Sequence, residues 1–179
     1  MGGRMTTLSF EVARTAEQRR EPWDAMEREV LTQAVLWNTT RPTLYDWLTL
    51  VDPSRTLLGL VRDNGSLAAA FWVIPMGMSG TLHFVMFRHW RSQRVHIGME
   101  AIRFVFDTWA FESLLAVFPA AYRHLPPYIT QLGFRIWTER LPFACNMPTD
   151  DHPERCSDMM FASLCRSFFD NYYAQKKEA

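Results

Sequence analysis

The sequence predicts an α/β fold: one domain on a mixed, mostly antiparallel sheet flanked by helices, with one parallel strand pair in the sheet. Three observations predict it. Asn64-Gly65 sits between two apolar runs, residues 57–61 and 67–74, and both central positions of a tight hairpin need a positive φ that Asn and Gly tolerate. Residues 96–109 carry an amphipathic helix, in which Ile97, Ala101, Val105 and Trp109 recur every four residues while Ile102 and Phe106 widen the stripe. Apolar runs at 81–87 and 113–118 flank that helix, so strand, helix and strand form a right-handed crossover between parallel strands.

The remaining elements follow in chain order. Residues 7–12 read as a first strand. Pro22 opens a helical pattern in which Trp23, Met26, Val30, Ala34 and Trp37 share a face, ended by Asn38-Thr39-Thr40 and Pro42. Residues 43–51 read as a short helix closed by Asp52-Pro53. The runs 57–61, 67–74 and 81–87 make an antiparallel meander, with a second turn at 75–80. A basic turn, residues 88–94, leads into the helix at 96–109. Pro119 ends the strand at 113–118, and Pro126-Pro127 shorten or delay a helix at 121–132, after which Gly133 suits the C′ position. Residues 134–138 and 141–146 read as a strand pair interrupted by Pro142. Residues 147–153 form a polar linker, and 157–173 read as a last amphipathic helix with Phe161, Leu164, Cys165, Phe168 and Tyr172 on one side. The expected organisation is a main domain over residues 1–146, with residues 147–179 as a linker and C-terminal amphipathic helix packed on it.

Composition narrows the function classes. The chain has 179 residues, 48% of them hydrophobic, with 13 Phe and 7 Trp to fill one core. Nineteen basic and nineteen acidic residues balance to zero net charge, which gives no long-range pull toward nucleic acid or anionic membrane, so neither is an expected partner. Cys145, Cys156 and Cys165 form no CxxC pair and no Cys/His cluster; they read as reduced thiols of a cytosolic protein, and no metal is expected. No stretch approaches the ~20 apolar residues of a membrane span, and the start lacks the apolar core of a signal peptide, so the expected location is the cytoplasm. Met1-Gly2-Gly3-Arg4-Met5-Thr6 fits the loose myristoylation pattern, which coincidence readily supplies. There is no GxSxG, no Walker A loop and no dinucleotide fingerprint.

Two stretches carry a family likeness. Residues 82–106 run from a strand through a basic turn into a long helix, and residues 117–141 contain Tyr128-Ile129-Thr130-Gln131-Leu132-Gly133-Phe134, in which an apolar residue and Gly-Phe close a helix. With the element order over residues 7–146, this resembles the GNAT acetyltransferase superfamily, in the style of its divergent bacteriophage members. The resemblance implies the GNAT fold, acetyl-CoA as co-substrate and a primary amine as acceptor. In the family, a Q/R-x-x-G-x-G/A turn offers backbone amides and a helix dipole to the pyrophosphate. Here the matching residues are Gln93-Arg94-Val95-His96-Ile97-Gly98, with His96 at the first glycine position; a second register starts at Arg91, with Ser92 in the adjacent small-residue position. Arg91 and Arg94 supply positive charge for phosphate. The resemblance lays the pantetheine arm along Val85, Met86 and Phe87, and brings Tyr122 and Arg123 to the phosphates or the adenine.

Amine attack on a thioester needs a base for the amine proton and an acid for the leaving thiolate. His83 stands on the strand where the family often places a carboxylate, and no Asp or Glu occurs between Gly65 and Glu100. His83 is the expected base. Tyr128 is the expected acid, although it precedes Gly133 by five residues where the family tyrosine precedes it by four, and Ile129 fills the matched position. The departures at residues 83, 96 and 128 leave a second reading open: a GNAT-fold phage protein with weak or no activity, acting as a binding or structural module. A protein partner, a homodimer and, for a phage-encoded chain, the host cytoplasm belong with these expectations.

Overall fold

The computed structural model of the chain describes residues 7–178, except 150 and 153. The N-terminal myristoylation pattern therefore lies outside the described residues. An eight-stranded sheet has the order β1-β2-β3-β4-β5-β8-β6, with β7 also pairing β8. Its strands are β1 (Leu8–Val12), β2 (Leu57–Asp63), β3 (Ser66–Met76), β4 (Ser79–Met86), β5 (Ser113–Pro119), β6 (Arg135–Ile136), β7 (Leu141–Asn146) and β8 (Cys156–Cys165). The helices are α1 (Ala16–Glu29), α2 (Thr32–Val35), α3 (Leu44–Leu50), α4 (Arg94–Thr108), α5 (Leu125–Gln131) and α6 (Arg166–Glu178). The sheet is antiparallel apart from the parallel β4/β5 pair. No helix among the described residues is long and apolar enough to cross a membrane.

Local chemistry explains most of these boundaries. Asn64 and Gly65 take φ of 49° and 82°, as the hairpin between β2 and β3 requires. Thr43 and Asp46 form a reciprocal capping box at the start of α3. Thr15 and Gln18 form another at the start of α1, so that helix begins well before Pro22, the residue expected to open it. It also ends earlier than the apolar stripe implied. Val30 adopts the left-handed conformation, its N–H bonds back to Glu27, and only the short α2 follows. The helix expected at 121–132 is delayed to Leu125 by the two prolines in its first turn, and Gly133 leaves it at φ 90°. The strand expected at 134–138 shrinks to Arg135–Ile136.

The tail is the main correction. Residues 157–173 do not form one helix: β8 occupies Cys156–Cys165 and only α6 is helical. β8 lies antiparallel along β5 from Ser113↔Cys165 to Pro119↔Met159. The run Met159-Met160-Phe161-Ala162-Ser163-Leu164 is apolar enough to suit either period, and the unpaired edge of β5 decides for strand. Met160, Ala162 and Leu164 are buried on one face while Phe161 lies on the other, so the stripe expected to join Phe161 to Leu164 does not exist. The first residue after β8, Arg166, closes the far end of α4. Its Nε donates to Phe111 O at 3.0 Å, and its Nη2 donates to Trp109 O at 3.1 Å and to Phe106 O, the last a carbonyl of the final turn of α4, where helical partners run out.

Strand alternation sorts the core onto two faces. Ala70 and Trp72 of β3 pack with Met26, Trp47, Leu58 and Phe87 under α1–α3. Ala69, Phe71 and Val73 of the same strand pack with Ile97, Ile102, Leu114, Leu164 and Phe169 under α4–α6.

Candidate functional site

The site begins where the parallel pair gives out. β4 and β5 are in register only at Ser79↔Ser113, Gly80↔Leu114 and Thr81↔Leu115. Beyond that point β4 runs on to Met86 and β5 to Pro119. Residues 82–86 thus extend for about 16 Å, at ~3.3 Å per residue, with no ladder to β5. Diverging strands leave a wedge edged by backbone N–H and C=O groups, to which an extended chain can hydrogen-bond.

On the α1–α3 side, His83 lines a groove enclosing about 350 Å³ with Leu36, Trp37, Tyr45, Asp46, Trp72 and Ile74 among its walls. The His83 ring stacks on its cross-strand partner Trp72, with centroids 5.2 Å apart and planes within 7°. Burial pushes the imidazole down to about 4, so it is neutral near pH 7 and has a lone pair to accept a proton. Trp72 is itself buried, wedged edge-on against Trp47. Its Nε1–H has no partner among the described residues, a condition that costs about 1–3 kcal/mol. Asp46 sits in its capping box, and hydrogen bonds from the Thr43 hydroxyl and backbone hold its carboxyl below the usual range.

At the wide end of the wedge, a 3-10 helix spanning Arg88–Gln93 feeds directly into α4. The Glu29 carboxylate accepts from Arg88 N–H at 2.8 and 3.1 Å, fixing the start of that turn to the end of α1. Arg94 N–H bonds to Arg91 O, so this amide is used inside the turn. Arg91, Arg94 and His96 are exposed, Gln93 and Val95 are half-buried, and Ile97 and Gly98 are buried. The imidazole of His96 therefore stands in solvent.

On the α4–α6 side, Tyr128 Oη donates to Arg94 O at 3.2 Å, and the Arg94 guanidinium lies 5.9 Å from the ring centroid. Burial raises the phenol above its ordinary value, which the nearby Arg94 charge partly offsets. Gly98 makes this packing possible: a Cβ there would lie 2.6 Å from Tyr128 Oη and 2.8 Å from Leu132 Cδ2.

Comparison with solved structures decides the fold. The chain is similar to spermidine N-acetyltransferase from Vibrio cholerae in complex with CoA and spermine, with a TM-score of 0.70 at 10% identity, over 90% of this chain and 97% of that one. It is similar to a ribosomal-protein alanine N-acetyltransferase from Escherichia coli, with a TM-score of 0.62 at 15% identity, over 89% of this chain and 94% of that one. A microcin self-immunity acetyltransferase in complex with acetyl-CoA and AMP matches with a TM-score of 0.64 at 8% identity, over 87% and 92%. The chain has the GNAT fold. No family model and no curated protein matches the sequence.

Within the GNAT fold, the expected residues divide by sheet face. His83, Val85 and Phe87 project toward α1–α3, and Met86 toward the opposite face. Tyr128 packs with the α4–α6 core, so the two catalytic candidates lie on opposite sides of the sheet. Arg91, Arg94 and His96 gather at the entry of α4. Tyr122 Oη donates to Ala34 O at 3.0 Å, tying the loop after β5 to α2, while Arg123 is exposed beside it. Sequence reasoning missed the groove residues Trp37, Tyr45, Asp46 and Trp72. One of them had a usable signal: counting back from the Pro75↔Gly80 pair puts Trp72 opposite His83. Trp37 comes from the turn after α2, and Tyr45 and Asp46 from α3, segments whose placement over the sheet has no local signature.

Proposed function

We propose that the chain is an acetyl-CoA-dependent N-acyltransferase that moves an acetyl group to a primary amine. The observation carrying this reading is the β4/β5 ladder that stops at Thr81↔Leu115, with exposed Arg91 and Arg94 at the wide end and His83 facing a groove beside it. In this reading the thiol arm lies along residues 82–87, making strand-like hydrogen bonds, and the phosphates meet Arg91, Arg94 and the first turn of α4 through charge-assisted bonds. Gln93, Val95, His96, Ile97 and Gly98 shape that turn, and Tyr122 and Arg123 border the adenosine end. The acceptor amine enters the groove. His83 takes the amine proton as the C–N bond forms; the C–S bond breaks, and the thiolate is protonated, with Tyr128 as donor once its hydroxyl leaves Arg94 O. A backbone N–H of β4 steadies the carbonyl oxygen as negative charge builds on it.

A specific observation favours a second reading, a GNAT-fold binding module with weak or no transfer. The amide of Arg94 is spent inside the 3-10 helix, and Gly98 is closed over by Tyr128 and Leu132. A phage setting with a protein partner fits this reading.

Thermal melting with acetyl-CoA separates the two. A ligand at 100 times its Kd adds about 2.7 kcal/mol of stability, a rise of several degrees in Tm for a chain of this size. Transfer predicts that rise; an unchanged Tm at millimolar acetyl-CoA supports the binding module. Under transfer, His83→Ala lowers kcat by ~100-fold or more and leaves the acetyl-CoA shift in place. An unchanged kcat removes His83 from the mechanism.

A further inference from the structure

The groove over His83 carries information about the acceptor, and reading it rests on the transfer function proposed above. Its walls combine the rings of Trp37 and Tyr45 and aliphatic Leu36 and Ile74 with the polar side chains of Asn38, Thr39 and Thr49. Among the described residues, Asp46 is the one carboxylate lining it, and no Lys or Arg does. The enclosed space, about 350 Å³, falls near the small end of the range for ligand sites, roughly 300–1,000 Å³.

Each feature removes a class of acceptor. A polyamine brings several positive charges and needs several carboxylates, where the groove offers one. An α-amino acid brings a second carboxylate beside Asp46, with no Lys or Arg in the lining to offset the repulsion between like charges. An aromatic wall around a single acid suits a cation with a flat apolar body, through ring stacking and cation–π attraction. Tyr45, 77% exposed, and half-buried Trp37 offer ring surface to such a body, while Trp72, buried against Trp47, holds the His83 ring stacked upon it.

We infer that the acceptor is a small monoamine with an aromatic body, its ring against Trp37 and Tyr45, its charge drawn in by Asp46, and its nitrogen directed to His83. The amine enters as an ammonium ion and sheds one proton to solvent through the open groove. The nitrogen lone pair then forms the C–N bond as the C–S pair leaves with sulfur. The second nitrogen proton passes to His83, and the thiolate takes up a proton, so the products are the amide, the thiol and one released proton.

Three probes test this on the whole chain by tryptophan fluorescence titration: 2-phenylethylamine, phenylalanine, which adds only a carboxylate, and spermidine, which replaces the ring with charges. The expected result is that 2-phenylethylamine binds at least tenfold more tightly than either of the others. Trp37→Ala should weaken it at least tenfold while its far-UV circular dichroism matches the parent, which shows that the half-buried site tolerates the change. Equal or tighter binding of spermidine or phenylalanine, undetectable binding of 2-phenylethylamine, or an unchanged affinity in a folded Trp37→Ala variant overturns the inference. Melting with acetyl-CoA keeps the two ideas apart. A clear acetyl-CoA shift with preference for spermidine rejects the acceptor class and leaves transfer standing. Preferred binding of 2-phenylethylamine with no acetyl-CoA shift rejects transfer and leaves the groove's specificity standing.

Discussion

At Gly98 any added side chain would collide with Tyr128 and Leu132, which close directly over it. In an ordinary helix interior, Gly→Ala gains about 1 kcal/mol. Here the new Cβ meets Tyr128 Oη at 2.6 Å and Leu132 Cδ2 at 2.8 Å, and overpacking of that kind costs about 1–3 kcal/mol. Gly98→Ala is therefore expected to destabilise the protein in urea unfolding, and to do so less in a Tyr128→Phe background, where the nearest clashing atom is gone. A stabilising Gly98→Ala would contradict this packing. The sequence motif casts Gly98 as a phosphate-loop glycine, whereas the structure also makes it the seat of Tyr128. His83 supplies a second test at this scale. Burial lowers its pKa from 6.5 to about 4, so the unfolded chain binds the proton first as pH falls. Its contribution to stability is full above pH 6.5 and is lost progressively towards pH 4. Urea midpoints across that window should fall more steeply for the parent than for His83→Gln; equal slopes would show that the imidazole is not buried.

Among the elements, α1 ends on an unusual residue. Val30 is β-branched, 83% exposed, and held at φ 56° where Gly is the ordinary choice. Left-handed backbone costs an L-residue about 1–2 kcal/mol, so Val30→Gly should stabilise the protein by roughly 1 kcal/mol, seen as a higher urea midpoint with unchanged slope. A loss of stability would mean that the Val30 side chain makes contacts worth more than its strain. The same position explains a misreading. Met26, Val30, Ala34 and Trp37 keep helical spacing in the sequence, but the chain turns at Val30 and continues as α2, and this places Trp37 over the groove. The β2–β3 hairpin, by contrast, was legible from Asn64-Gly65 because its instructions lie within the turn. β8 was not legible, since its partner β5 lies far back in the chain and its apolar run suits both periods.

Over the whole molecule, the order of the strands as far as β7 and the parallel β4/β5 pair could be read from the sequence, and so could the place of His83 on β4. The groove could not, because it forms only when α2 and α3 settle over β3 and β4. Nor could the wedge, which depends on where a ladder stops rather than on which strands exist. That wedge joins a basic helix entry on one side to an aromatic groove on the other, and the functional reading rests on it. Amide hydrogen exchange over residues 82–86 and 116–119, with and without acetyl-CoA, tests it most directly. Saturating acetyl-CoA is expected to slow exchange in both segments, because the thiol arm supplies hydrogen-bond partners to strand edges that lack a ladder. Identical exchange in the free and acetyl-CoA-treated protein would contradict it.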